Sequence, residues 1–207
     1  LKSNFRRIDT SKLRIILIEG SGNILETYDL NQSVYARKHI EAIGVEVRTN
    51  TKVTNIRAGV LEFADGTSLE AAAIIWAAGV AANPLTKILG VATDRGGRIT
   101  PKLDLSLEEH PEIFVAGDLV AMKDNEGKMV PGVAPAASQM GRHVAKVLKE
   151  ELRLESGRFA DRKYDLRPTF RYWDKGMMAI IGKNHAVVKA GKVLRLQGFI
   201  AWLAWLF

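Results

Sequence analysis

The chain is 207 residues long, 47% hydrophobic and 26% charged, an ordinary globular composition that excludes extended disorder and leaves material for a sizeable core. It contains no cysteine, which excludes disulfide scaffolds, thiolate zinc sites, cysteine nucleophiles and redox-active disulfides, so any redox chemistry requires a bound cofactor. The net charge of +7 is unevenly spread: residues 1–120 hold 14 basic and 15 acidic groups, residues 121–207 hold 16 and 8.

The chain starts at Leu1 with no secretory leader and stops at Phe207 inside an apolar run, which predicts an internal or C-terminal piece of a larger protein. Residues 13–19 are a continuous apolar run ending in Glu19, followed by Gly20-Ser-Gly22, and suit a strand buried on both faces of a parallel sheet. Val34, Ala36, Ile40 and Ile43 recur at helical spacing up to Gly44, and residues 45–49 resume as a strand, giving a strand, helix, strand unit. Residues 52–70 read as an antiparallel meander turning at Asp65-Gly66. Two further apolar runs, 72–79 and 113–118, end in Gly79 and in Gly117-Asp118, and both predict buried strands. Between them lie a short helix over 84–89 and a turn over 95–98.

After a polar loop at 124–127, a helix is predicted over 134–152. Its small residues Ala134, Ala136, Ala137, Ser138 and Gly141 allow close approach by a flat ligand or by another element of the fold. Beyond the polar stretch 155–167, strands are predicted over 169–173, 177–181, 186–189 and 193–196, as a separate antiparallel unit carrying the apolar tail.

Buried strands ending in Glu, Gly or Gly-Asp are where a doubly wound sheet binds nucleotides, because ligands sit outside the carboxyl ends of the strands. Glu19 fits the acid that accepts hydrogen bonds from an adenosine ribose, although an acid at a strand end is equally well a solvated side chain. The glycine fingerprint that should lie about twenty residues upstream is absent, since none of the 18 residues before Glu19 is glycine. Gly117 would let the backbone approach a cofactor and Asp118 could accept from a chain of hydroxyls. The same pair is also an ordinary turn. The four histidines, His39, His110, His143 and His185, show neither metal-ligand spacing nor triad partners and are expected to be structural or solvated.

Four segments occur in one order: WAAGV (76–80), PEIFVAGD (111–118), VPGVAPAASQMG (130–141) and FRYWDKGMMAIIG (170–182). Together they resemble the type II NADH:quinone oxidoreductases, single-subunit, non-proton-pumping respiratory flavoproteins of the FAD/NAD-linked pyridine nucleotide-disulfide oxidoreductase superfamily. The resemblance runs from about Leu13 to the end and suggests the C-terminal portion of such a protein. It implies an α/β fold, a partial two-dinucleotide-binding-domain (Rossmann-like) flavoprotein with a C-terminal antiparallel unit and an amphipathic membrane tail. Residues 1–80 would be the later part of the NADH-binding domain, 81–153 the returning part of the FAD-binding domain, and 154–207 a membrane-associating unit.

The same resemblance places Glu19 at the NADH ribose, Ala78 and Gly79 beside FAD, and Gly117-Asp118 at the ribityl chain. The helix opening at Ala134 would run under the isoalloxazine, with backbone N–H groups toward the edge where negative charge builds up on reduction. The family often shows Ala-Gln-x-x-x-Gln here. This chain has Ala134-Pro135 and keeps Gln139, so Gln139 is the expected quinone-site residue and Pro135 leaves the first glutamine role unfilled. Lys175, in the Asp-Lys-Gly turn, would stabilise the reduced flavin, or is a solvated turn lysine. The implied reaction is hydride transfer from NADH to FAD and then two electrons to a membrane quinone, with the cofactors reacting and the protein positioning them. The missing cysteines weigh against sulfide:quinone relatives.

Lys189, Lys192 and Arg195 precede nine apolar residues, 199–207, that include Trp202 and Trp205. Nine is far below the roughly 20 needed to span a bilayer, but Trp beside Lys and Arg suits a segment in the headgroup interface. Each nearby cation contributes about 1 kcal/mol against anionic lipid, so docking on the cytoplasmic face of the cell membrane is expected. A core helix or a homodimer contact is the alternative use of the tail. Nucleic acid is not an expected partner, because no basic helix, zinc ligand set or stacking platform accompanies the charge. Two rival readings are a related NAD(P)H-linked flavoprotein with a soluble acceptor, and a non-catalytic membrane-surface module. The 207 residues alone are expected to bind FAD weakly or not at all and to show no turnover.

Overall fold

The computed structural model describes residue 9 and residues 12–124, 126–155, 164, 166–191 and 193–204. Most of the predicted polar stretch 155–167, together with Lys192 and Trp205, lies outside the described residues. Contacts divide the chain into two compact units, one formed by Leu1–Trp76 with Gly176–Phe207 and the other by Ala77–Lys175. These limits differ from the expected boundaries at 80 and 153.

In the first unit, β1 (Ile15–Ile18), α1 (Leu30–Ala42) and β2 (Val45–Arg48) form the expected strand, helix, strand motif. The two strands pair in parallel, Ile15 opposite Val45 and Leu17 opposite Val47. Among the described residues the sheet has only these two strands, and Ile15 and Leu17 remain exposed, which corrects the expectation of burial on both faces. The face of α1 that packs inward is also not the predicted one. Val34 and Ile43 are exposed, while Gln32, Ser33 and Ala36 are buried. Gln32 and Ser33 tolerate burial because their side chains find backbone acceptors: Gln32 Nε2 donates to Val188 O at 2.8 Å, and Ser33 Oγ to Ile24 O at 2.6 Å. Gly44, at φ +96°, ends the helix by donating to Glu41 O at 3.0 Å.

The meander forms as read, with β3 (Val53–Arg57), β4 (Val60–Phe63) and β5 (Ser68–Glu70) in an antiparallel sheet. The Asp65 carboxylate fixes its turn by accepting from the Thr67 N–H at 2.9 Å and the Thr67 hydroxyl at 2.7 Å.

Three later strands, β6 (Met177–Gly182), β7 (His185–Ala190) and β8 (Leu194–Gly198), form an antiparallel sheet followed by a short tail helix, Phe199–Leu203. The sheet does not stand alone as expected: Ile181 and Val187 share one core with Ile24, Ala36 and Val47. In the tail helix, Ala201 packs with Ala186 and Val188, while Phe199, Ile200 and Leu203 are exposed. No helix among the described residues is long and apolar enough to cross a membrane.

The second unit is built on α2 (Ala134–Glu155). Its inward stripe, Ala136, Met140 and Val147, is buried, and the first two share a core with Ile99, Leu105, Val115, Val120 and Phe170. Glu151 continues the stripe one turn on and is buried as well. The segments expected as strands at 72–79, 113–118 and 169–173 do not form strands. Residues 113–118 contribute a single isolated bridge, Phe114 to Ser106, before a 3-10 turn over Gly117–Leu119. Ile75 is 90% exposed and Trp76 63%. An apolar run becomes a strand only when neighbouring backbone takes its N–H and C=O groups along its length; residues 113–118 are tied at two points, Leu107 N–H to Ile113 O and Val115 N–H to Leu105 O, and 169–173 at Phe170 N–H to Leu103 O, too few to extend into a ladder.

Candidate functional site

Glu19 leaves β1 at its carboxyl end, where its N–H donates to Arg48 O and its carbonyl accepts from Thr51 N–H. The side chain turns back on its own loop, with Oε1 accepting from the Ser21 N–H at 2.8 Å and the Ser21 hydroxyl at 2.9 Å. Oε2 has no hydrogen-bond partner among the described residues, which leaves an acceptor at the strand end. Glu19 is therefore preset by its loop while retaining capacity for a ligand hydroxyl.

The other expected site residues lie in the second unit. Gly117 adopts φ +73°, and a Cβ there would stand 3.5 Å from Ala137 Cβ. The Gly117 N–H lies 3.3 Å from Met140 Sδ. Backbone thus crosses the first turns of α2 where only a glycine in the left-handed region fits comfortably. The adjacent Asp118 is exposed, and its Oδ1 lies 3.3 Å from where a Cβ on Gly132 would stand. Its carboxylate has no hydrogen-bond partner among the described residues. Ala134 and Pro135 open α2 and are exposed. Pro135 has no N–H, and the Ala134 N–H takes no partner among the described residues, so this helix start presents one open donor beside the positive end of the macrodipole. Ala78 and Gly79 are exposed, and nothing lies within 4 Å of a Cβ built on Gly79.

Gln139 and Lys175 come together through a residue that sequence reasoning quoted but did not select. Gln139 Nε2 donates to Trp173 O at 3.0 Å, and the Trp173 N–H donates to Gln139 Oε1 at 2.9 Å. Lys175 Nζ sits 5.0 Å from the centre of the Trp173 ring, within cation–π range. The indole is 69% exposed. Gln139 follows Pro135 by four positions, so the pair at Trp173 is held beside the same helix face that carries Pro135.

A second polar centre of this unit was not anticipated. The Arg167 guanidinium, with a side chain only 3% exposed, pairs with Glu151 at 2.6 Å and Asp104 at 3.2 Å. It also stacks 4.6 Å from the ring centres of Phe114 and of Tyr164. Burial works to raise the Asp104 carboxyl, but hydrogen bonds from Ser106 and from Arg167 outweigh it and hold the group below the usual carboxylate range.

In the first unit, the His39 and His185 rings lie 3.5 Å apart between centres, tilted by 31°, and His185 Nδ1 lies 2.5 Å from the Tyr35 hydroxyl. Burial, and then the neighbouring His185, lower the His39 pKa. Lys189 and Arg195, expected to face lipid headgroups, both pair with Asp29, whose carboxyl is held low first by Lys189 and then by Arg195. Asp29 starts α1 without a side-chain cap because its oxygens are taken by these cations. Among the described residues no group of three or more His, Asp or Glu side chains is placed to hold a metal ion. Two open hollows, of 330 Å³ beside Tyr28 and 390 Å³ beside Arg167, are lined by none of the expected site residues.

The profile of the pyridine nucleotide-disulphide oxidoreductases matches residues 4–141. The type II NADH:quinone oxidoreductase Ndh of Mycobacterium tuberculosis is 38% identical over 214 aligned positions, covering 100% of this chain and 43% of its own length. The type II NADH:quinone oxidoreductase of Haemophilus influenzae is 30% identical and is covered over 44% of its length. This chain therefore spans less than half of these curated relatives. Among solved structures, the NDH2 of Plasmodium falciparum in complex with NADH superposes with a TM-score of 0.77 at 16% identity, over 99% of this chain and 56% of that one. That likeness shows a shared fold.

Proposed function

The chain belongs to the pyridine nucleotide-disulphide oxidoreductase family, and from that premise we propose that it works within a longer flavoprotein as part of an FAD-dependent NADH:quinone oxidoreductase. The observation that carries this reading is the pairing of two unlike surfaces on α2. Its first turns meet Gly117-Asp118, and its next turn holds Gln139, Trp173 and Lys175. The named activity of the relatives from Mycobacterium tuberculosis and Haemophilus influenzae supports the same reaction class.

The residues present fit the implied nucleotides. Asp118 offers a carboxylate with no partner among the described residues for the hydroxyls of a ribityl chain, beside a glycine whose backbone is in the left-handed region that side chains rarely adopt. Ala134 offers an open N–H at a helix start, Ala78 and Gly79 offer backbone without bulk, and Glu19 offers a free oxygen for the ribose of NADH. FAD, when bound, supplies the two-electron relay between a hydride donor and a quinone. The chain's own residues bind and orient: Asp118 and the start of α2 hold the flavin, while Gln139 and Lys175 form the acceptor side, where the ammonium offsets negative charge arising on reduction. We further assign the exposed Phe199, Ile200 and Leu203 to a membrane surface, with contact between two copies as the competing use of that face. Such contact would bring the enzyme to a lipid-dissolved acceptor at the cytoplasmic face.

The test is expression of the complete protein containing these residues, followed by its flavin spectrum and its NADH-dependent reduction of quinone in membranes. Flavin absorbance with quinone reduction is expected. A flavoprotein that reduces only soluble acceptors would move it to another member of the family, and a chain with no flavin would overturn the reading. The 207 residues by themselves are expected to show no NADH:quinone turnover.

A further inference from the structure

Residues four apart on a helix share a face, and on α1 two such residues, Tyr35 and His39, present nearly parallel rings, 8° apart with centres at 6.1 Å. His185, the first residue of β7, is brought against both. Its ring centre lies 3.5 Å from that of His39 and its Nδ1 lies 2.5 Å from the Tyr35 hydroxyl. All three side chains are half-buried. Beside them Ile43 Cδ1 lies 3.8 Å from where a Cβ on Gly182 would stand, and Ile40 packs on the core that contains Ile181 and Val187. This cluster is one end of the contact between α1 and the β6–β8 sheet. The other end is Gln32, two turns back, whose Nε2 donates to Val188 O at 2.8 Å and to Leu196 O at 3.2 Å. Those bonds involve no titratable group.

The Tyr35 hydroxyl can donate to a bare Nδ1 or accept from a protonated one, so a first proton on the imidazole pair leaves each contact in place. A second proton sets two cations face to face, and unit charges about 4 Å apart near a protein surface repel enough to weaken its binding at least about tenfold. Among the described residues of the elements packed here, no acid is free to compensate. On α1, Glu41 is paired with Arg37, and Lys38 adjoins His39. On β2, Glu46 is paired with Arg14 and Arg48. Strand β6 has no titratable side chain, and its turn into β7 carries Lys183. On β7 and β8, Lys189 and Arg195 are paired with Asp29. We propose that Tyr35, His39 and His185 form a proton-operated latch between α1 and the β6–β7 hairpin, closed while at most one imidazole is charged and released by the second proton, with Gln32 as its pH-independent anchor. Burial, and then His185, lower the His39 pKa, so the stabilisation is complete above the unfolded value of about 6.5 and is lost as pH falls below it. Release loosens the start of the strand whose Ala186 and Val188 pack against Ala201 of the tail helix. The latch involves neither cofactor nor acceptor and stands independently of the proposed reaction.

The test compares hydrogen exchange of the 207-residue chain at about pH 7.5 and about pH 5, with each amide expressed relative to its unstructured rate at the same pH. With the second proton held about tenfold more weakly in the closed latch, protection across Met177–Ala190 should fall by roughly five- to tenfold at the lower pH. The meander over Val53–Glu70, which holds no histidine, should keep its protection and serves as the internal reference. His39→Phe retains a flat ring and removes the second charge, so protection of the hairpin should change by less than about twofold between the two conditions. An equal fall in both chains, or no fall in the unaltered one, overturns the latch. A proton NMR titration of the unaltered chain supplies a check that needs no variant. The ring resonances of His39 and His185 should move in two steps at least about one pH unit apart; two independent single curves near pH 6.5, the ordinary value, would equally overturn it.

Discussion

Replacing Arg167 by methionine tests whether the second unit is held by a buried ion pair or only tolerates one. The substitution keeps an unbranched apolar stem and removes the charge between Glu151 and Asp104, whose side chains are only 11% and 10% exposed. Two carboxylates are then stranded in a site built around a cation. Removing one partner of a buried pair costs about 3–5 kcal/mol, which for a chain of this size lowers Tm by on the order of 10 °C. Combining Arg167→Met with Asp104→Asn and Glu151→Gln removes the stranded charge, and the triple variant should recover most of the loss. Urea denaturation followed by circular dichroism reads both values. Acid gives an independent sign. Asp104 is held below its unfolded value, so its stabilisation is complete above about pH 4 and is lost as pH falls through the lower folded value. Asp104→Asn should flatten that acid limb. An Arg167→Met protein within about 1 kcal/mol of the parent, or a triple variant as unstable as the single one, would refute the argument that charge pairing, and not shape, holds this centre.

Gly176→Ala should destabilise the first unit strongly, because a Cβ there would stand 2.5 Å from Lys189 O and 2.6 Å from Ala190 Cα at φ +92°. Gly44→Ala, at φ +96° with nothing within 4 Å, should cost only the left-handed penalty of about 1–2 kcal/mol, and the two denaturation midpoints compared in parallel check the difference. Asp118→Ala should leave stability unchanged, since the carboxylate is exposed and unpartnered, yet weaken flavin binding by the complete protein about 10-fold or more, the value of a hydrogen bond to a charged group, as read by spectral titration. Asp29→Asn should release Lys189 and Arg195 and raise affinity for anionic vesicles, by about fivefold per freed cation at low salt and by less at high salt; unchanged binding would place these cations away from the lipid.

The elements legible in the sequence are those whose cause is local. The meander could be read through Phe63 and Leu61, Asp65-Gly66 and Thr67, because alternation and turn chemistry act within a few residues. The first strand, helix, strand motif could be read for the same reason. The runs at 72–79 and 113–118 were misread because apolar continuity describes a strand's side chains and says nothing about which backbone will pair with it. The inward face of α1 was missed for a related reason. Gln32 and Ser33 are polar in composition, and only the carbonyls of Val188 and Ile24 make their burial affordable.

The candidate site divides along the same line. Gly117, Asp118, Gln139 and Lys175 could be chosen by residue type and motif, whereas the link between the last two is a pair of hydrogen bonds across 34 positions that no local pattern encodes. Charge behaves similarly. The excess of basic residues after position 120 suggests a uniformly cationic surface, yet Lys189 and Arg195 are paired with Asp29, and Arg167 with Asp104 and Glu151. Cations already neutralised by acids from elsewhere in their own unit have less attraction left for an anionic membrane. On the membrane reading proposed above, attachment would draw more on the exposed Phe199, Ile200 and Leu203 than the net charge implies, and its binding to vesicles is expected to be correspondingly less sensitive to salt.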